Sequence, residues 1–280
     1  MNLYASLRQW QERFVTDQDL DAPDAREVLK AIHAISRSVD DYVDDYFFVN
    51  TEARSFDGNG REQLTIPWLL SQSAVKLDED TDGTFETSLT LDTDFWLRRP
   101  GHRRQTVAPF TAIILNPYRG SRSIFAVRPD LVQITGEWGH SADTEDLGGG
   151  MTATLADATT TTMTTNKAGT PPLGPGDTVL VGTERLYIAS GKGASKWTVV
   201  RGVNGTTAEA HTDIALTRYL YEPRAVESVL ISAGRLWKRR ETSYSSVIAN
   251  PTIGSIEVFK QLDPDVRELL RPLRRHVLGF

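Results

Sequence analysis

The feature that most constrains this chain is the separation of its helix-patterned segments by a long β-patterned stretch. A strongly amphipathic segment covers residues 24–48, and a second covers 223–240, after a threonine- and glycine-rich run at 148–221. Apolar residues spaced three and four apart line one face of a helix, whereas strict alternation lines one face of a strand. A helical module split by a β-insert describes an organisation rather than an active site.

Ser6 is placed to cap a short helix running through Trp10 to about Phe14. After an acidic loop, Asp24 sits where the next helix begins, and its charge suits a helix N-terminus. Val28, Ile32, Ile35, Val39, Tyr42, Val43 and Tyr46 recur at helical spacing and define one buried stripe. Asp40, Asp41, Asp44 and Asp45 occupy the opposite face, either as a metal site or acidic channel lining, or as a solvated surface.

From 51 to 138 the pattern changes to short strands. Residues 57–60 carry a turn, 64–68 read as a strand ending at Pro67 and Trp68, and 131–138 alternate. In that last run Val132, Ile134 and Trp138 face one side, and Gln133, Thr135 and Glu137 the other. Gly148, Gly149 and Gly150 mark a joint. The insert opens with MTATLADATTTTMTTN, whose threonines favour strands, and strands follow at 178–189 and 196–201 with a tight turn at Asn204-Gly205.

Pro223 suits a first helical turn, and Val226, Val229, Leu230, Ala233, Leu236 and Trp237 form the next apolar stripe. A strand is expected at 255–259. Asp263 then caps a last helix with Pro264 at its first position. Here Leu269, Leu270 and Leu273 alternate with Arg267, Arg271, Arg274 and Arg275, and the chain closes on Val277, Leu278 and Phe280. A segment both apolar and cationic is better suited to docking on a partner than to standing in water.

Composition narrows the chemistry. The chain has 280 residues and no cysteine, which excludes disulfides, thiol catalysis and cysteine-ligated zinc. With 31 Lys and Arg against 37 Asp and Glu, the net charge is −6, which argues against a dominant nonspecific grip on nucleic acid. No apolar run approaches the roughly 20 residues that span a bilayer. The first residues, MNLYASLRQWQERF, carry charges where a signal peptide needs an apolar core. A soluble protein of the cytoplasm, or of a particle built there, is expected.

Residues 78–83 (DEDTDG) match the first half of a calcium loop, but Leu89 stands where a bidentate glutamate is required, so an acidic hairpin turn is expected instead. The five histidines are scattered and no nucleophile elbow or phosphate loop appears. No catalytic residue, metal or cofactor is assigned, and enzyme activity is not expected. Residues 98–104 (RRPGHRR) gather Arg98, Arg99, Arg103 and Arg104, which either contact phosphates or an acidic partner, or form a solvated loop.

Several segments, in order, resemble the head-to-tail connector (neck adaptor) proteins of tailed bacteriophages: IHAISRSVDDYVDDYFF, RSFDG, LTIPWLL with its acidic hairpin, VQITGEWG and AVESVLISAGRLWKRR. VLVGTERLYIAS and TVVRGVNGTTAEAH look like small β-modules of some phage neck and tail proteins. The resemblance implies an α+β fold with a helical-bundle adaptor core and short strands (1–146 and 222–280) and an inserted small all-β barrel or sandwich (147–221). It implies a virion neck protein, assembled in the host cytoplasm, forming a usually twelve-fold ring under the portal protein. Its other partners would be a stopper or tail-tube component below and the genomic DNA passing through the channel without specific binding, with no membrane. Arg267, Leu269, Leu270, Arg271, Leu273, Arg274, Arg275 and Phe280 would then form the portal-docking arm. The large insert and long C-terminal extension depart from the simplest family pattern.

Three other readings stand beside it. The chain could be a stopper or tail-completion protein. It could be a glycan- or surface-binding module using Trp197 and Tyr187 as stacking platforms. Or it could be an envelope hydrolase built on a carboxylate pair that the sequence does not nominate.

Overall fold

In a computed structural model, described here for residues 2–15, 20–100, 108–166, 172–191, 195–240, 247–250, 254–257 and 262–275, most regular structure is β. This corrects the expected helical-bundle core. The described residues hold four helices and two large sheets, one of them closed into a six-stranded barrel. The physical reason is that the apolar runs after residue 50 alternate, so they bury their faces against one another rather than against helices. The chain divides into two units, Met1–Asp45 with Asp143–Phe280, and Tyr46–Ala142.

Helix α1 (Leu7–Phe14) starts as the sequence indicates. The Ser6 hydroxyl accepts from the Gln9 amide, and the Gln9 side chain reaches back to the Ser6 amide, a reciprocal capping box. Helix α2 (Ala22–Val43) begins earlier than expected. Asp21 is its cap, accepting from the Asp24 amide at 2.7 Å, and Asp24 lies in the first turn, where its charge suits the helix N-terminus. It ends where Asp44 turns left-handed, and its buried face is Val28, Ile32, Ser36, Val39 and Val43.

The second unit is one antiparallel sheet of β1 (Asn50–Phe56), β2 (Gln63–Leu77), β3 (Thr87–Leu89), β4 (Phe95–Arg98), β5 (Phe110–Leu115) and β6 (Val132–Trp138). Its order is β1-β6-β2-β5-β4, with β3 on the end of β2. The alternation read for β6 holds: Val132, Ile134, Gly136 and Trp138 are buried. Strand β2 does not stop at Pro67. Its register against β5 jumps between Thr65 and Leu69, which absorbs the ladder hydrogen bond that proline cannot donate. Beyond the jump it pairs with β6. Leu89 is buried against this core.

The barrel uses β8 (Thr152–Leu155), β9 (Thr162–Thr165), β10 (Thr178–Val181), β11 (Glu184–Ser190), β12 (Lys196–Val200) and β13 (His211–Tyr219), with β7 (Thr144–Asp146) added along β13. The ring runs β10-β11-β12-β9-β8-β13 and closes through β13 on β10, leaving no free edge among the six. Val179, Val181, Leu186, Ile188, Met163 and Trp197 fill it. Asn204 and Gly205 both take positive φ, as the expected turn requires.

Inside this unit Glu184 is fully buried and accepts from the Arg201 guanidinium at 2.8 and 2.7 Å, from the Gly202 amide at 2.9 Å, and faces His211 Nε2 at 2.9 Å. Arg201 also donates to the carbonyls of Asp157 and Thr160, each at 2.8 Å, which ties the barrel end to the β8–β9 turn. Burial pushes the Glu184 carboxyl up, but Arg201, the Gly202 and Glu209 amides and His211 outweigh it and hold the carboxyl below its ordinary value.

Helix α3 (Pro223–Arg239) buries Ala225, Ser228, Val229, Leu230, Ala233 and Gly234, a face of smaller residues than the stripe read from the sequence. Gly234 is there because a Cβ would stand 2.4 Å from the Phe14 ring. Trp10 packs edge-on against Trp237 at 5.5 Å, and Arg13 pairs with Glu227 at 2.5 Å. Strands β14 (Val247–Asn250) and β15 (Gly254–Glu257) form a hairpin ladder, and helix α4 (Pro264–Leu270) runs into a 3-10 turn at Arg271–Leu273. The expected strand at 255–259 is realised through Glu257 as part of β15, and residues 258 and 259 lie outside the described set.

Glu184→Ala would leave the buried Arg201 without its carboxylate. It is expected to lower stability in urea unfolding by about 3–5 kcal/mol. A loss below about 1 kcal/mol would contradict the assignment of this cluster as a structural tie.

Candidate functional site

The residues nominated for docking fall on and just after α4, and their roles differ. Leu270 is fully buried, as is Val266, so both hold α4 to its own unit. Arg235 of α3 pairs with Asp263 and, at 3.2 Å, with Asp265, which fixes the start of α4. Asp263 is the N-cap residue, as expected, but its side chain makes no capping hydrogen bond.

Arg275 is half-buried and turned toward α2. Its amide donates to the Val43 carbonyl at 2.9 Å, and its guanidinium lies 3.8 Å from Asp44 and 3.7 Å from Asp45. Arg267 is half-buried, and its carbonyl accepts from the Tyr42 hydroxyl at 3.4 Å.

What faces outward is a shorter set. Arg271 and Arg274 are exposed, and Leu269 and Leu273 are half-buried. Arg271 lies 3.6 Å from Glu268 with both side chains in solvent, a pair of little energetic weight, and Arg274 sits over the Tyr42 ring at 5.7 Å. Phe280 lies outside the described residues. In the other unit Arg98 contacts the Gln63 side chain at 3.4 Å and Arg99 covers the Phe110 ring at 4.4 Å, while Arg103 and Arg104 lie outside the described residues.

Trp197 is 2% exposed in the barrel core and so offers no stacking face; Tyr187 is half-buried.

The acids of α2 are not one solvated face. Asp41 and Asp44 are exposed, but Asp45 meets Arg275, and Asp40 accepts from the Tyr4 hydroxyl and pairs with Arg37 at 3.0 Å. Tyr4 belongs to a segment, residues 2–6, that is at most 2% exposed throughout. Its backbone is satisfied from α2: the Tyr4 amide donates to Ser36 Oγ at 3.2 Å and Arg37 donates to the Asn2 carbonyl at 2.9 Å.

On the barrel side, Asn2 exchanges side-chain hydrogen bonds with Asn204 at 2.8 and 3.0 Å, and the Leu7 amide donates to the Pro175 carbonyl at 3.0 Å. Asp177, also buried, accepts from the Gly174 amide at 2.8 Å and lies 3.7 Å from Arg218. A cavity of about 60 Å³ lies here, bounded by Tyr4, Ser6, Asp177, Arg218 and Tyr221 among others. This junction is not legible in the sequence, because Tyr4, Asp40 and Asp177 are far apart along the chain and none belongs to a motif.

Burial raises the Asp40 carboxyl to about 7, against the pull of Tyr4 and Arg37, and with help from Asp41 and Asp45. Burial likewise raises Asp177 to about 6, against Arg218 and the Gly174 amide. The unfolded chain loses both protons near pH ~4, whereas the folded chain keeps them to higher pH. The folded state therefore binds more protons across that window, and stability falls as pH rises from about 4 to about 7. His33, lowered by burial and then by Arg37, runs the opposite way below its ordinary value.

Asp40→Asn is expected to shrink the fall in stability between about pH 5 and about pH 8, by on the order of 2–4 kcal/mol. Melting curves across that range test it; an unchanged slope would contradict the buried-carboxylate account. Compared with protein-family models the chain matches none, and no curated protein matches its sequence.

Proposed function

We propose that the protein is a structural component of a phage virion neck, an adaptor that sits under the portal and offers a platform to the next neck or tail component. It does this with a β-rich body in place of a helical core. The observation that carries the reading is the ordered set of connector-like segments, together with where they fall: IHAISRSVDDYVDDYFF on α2, LTIPWLL on β2, VQITGEWG on β6 and AVESVLISAGRLWKRR on α3. These segments supply two helices of the barrel-containing unit and two central strands of the other, so the likeness covers framework rather than surface decoration.

The docking element in this reading is the exposed cationic edge at the end of α4, Arg271 and Arg274 with Leu269 and Leu273. Because Val266 and Leu270 seat α4 on its own unit, the edge is presented on a folded support instead of a free arm. Ordering costs on docking are correspondingly smaller. A ring of copies would multiply a weak contact at each subunit into firm attachment. DNA passing an acidic ring would be repelled by like charge and would slide without sticking.

The test is Arg271→Glu with Arg274→Glu, assayed for binding to purified portal rings. Both side chains are exposed, so melting behaviour should be unchanged. Binding is expected to weaken at least tenfold, about 1.4 kcal/mol per docking contact. Binding equal to the unmodified chain would remove the docking assignment.

A further inference from the structure

We infer that the loop joining β5 to β6 is a self-association surface, and that its partner is the same face of a second copy of this chain. The three most exposed large apolar side chains among the described residues all lie on this loop: Tyr118 at 90%, Val127 at 79% and Ile124 at 52%. Residues 116–131 contain no helix or strand, and ordered loops of that length are usually functional.

The loop is nonetheless tied down. Phe125 is buried, its amide donates to the Arg61 carbonyl at 2.8 Å, and its own carbonyl accepts from the Gly60 amide at 2.6 Å. The Asn116 amide donates to the Asp94 carbonyl at 2.8 Å, and the Asp130 amide to the Asp57 carboxylate at 2.9 Å. At Gly58 the loop passes so close that a Cβ would stand 1.7 Å from the Ala126 carbonyl oxygen. Apolar side chains are thus held in water on a fixed support, which is how a preorganised contact surface is built.

Charge identifies the partner. From residue 117 to 129 the loop carries Arg119, Arg122 and Arg128 and no acid, in a chain of net charge −6. Directly beside it is the acidic turn between β2 and β3. Arg122 donates to Glu79 of that turn at 2.8 and 2.6 Å, and Asp80, Asp82 and Glu86 stand exposed beyond it. A surface with positive and negative halves side by side is complementary to itself under a two-fold rotation, the loop of each copy meeting the turn of the other. An acidic chain otherwise repels its own copies. Such a pairing is distinct from the head-to-tail contacts a ring requires. It goes beyond the neck reading and does not depend on it.

Sedimentation velocity of the full chain across the micromolar range tests this. The unmodified chain is expected to shift from monomer to dimer with concentration. Tyr118→Ser with Val127→Ser is expected to weaken the dimer at least tenfold with no change in melting. Arg119→Glu alone, and Asp80→Lys with Glu86→Lys alone, place like charges in contact and are each expected to leave monomers. Mixed together they are expected to pair, because both contacts then become attractive. A chain that stays monomeric at every concentration, reversal variants that still self-associate, or a mixture that does not pair would each overturn the inference. Failure to bind a portal would leave it standing and remove only the neck reading.

Discussion

The unit that contains the barrel depends on one extended segment, residues 2–6, buried between α2 and the barrel. An extended segment has no hydrogen-bonding ladder of its own, so its backbone must be satisfied by whatever it lies against. Here Ser36 and Arg37 serve its backbone from the helix, while from the barrel Asn204 pairs with the Asn2 side chain and the Pro175 carbonyl accepts from the first amide of α1. Tyr4 adds an edge-on contact with Tyr221 at 5.1 Å, where β13 leads into α3. The junction is polar, yet its acids are buried, which makes its strength a function of pH. Helices and barrel pack together in one compact unit.

The remaining packing follows from side-chain size. Helix α3 presents Ala225, Ser228, Ala233 and Gly234 where a bundle would present large aliphatics. Small residues allow close approach to α1 but bury little apolar area, so the helices alone could not supply a core of the usual worth per residue. The area comes instead from the barrel interior and from the second unit's sheet, each with a buried tryptophan, Trp197 and Trp138. Closure of the barrel removes its edges, and the buried Glu184–Arg201 pair holds one end shut.

Patterns local to a few turns were legible in the sequence. The Ser6 cap, the alternation of β6 and the Asn204-Gly205 turn are present in the fold, and of the α2 stripe Val28, Ile32, Val39 and Val43 are buried, while Ile35 and Tyr42 are half-buried and Tyr46 lies beyond the helix. What was not legible was the balance between elements. The pattern alone makes the strands around β2 and β6 accessories of a helical core, since periodicity reports that a face is buried but not what buries it. Pro67 was read as a strand end because a bulge can accommodate it only when the register is known. Of the docking residues, the sequence could place the leucines and arginines on one short helix. It could not show that Leu270 and Arg275 are turned to their own unit and that Arg271 and Arg274 face out, because that division is set by α2 and α3. The pairing of Tyr4 with Asp40 left no trace in composition or spacing.

The proposed neck role rests on a framework likeness and on a cationic edge held on a folded support. A cryo-EM reconstruction of the particle's neck tests this most directly. The account predicts a ring of this chain against the portal, with the end of α4 at the contact. Finding the chain at the tail tip, or elsewhere outside the neck, would contradict it.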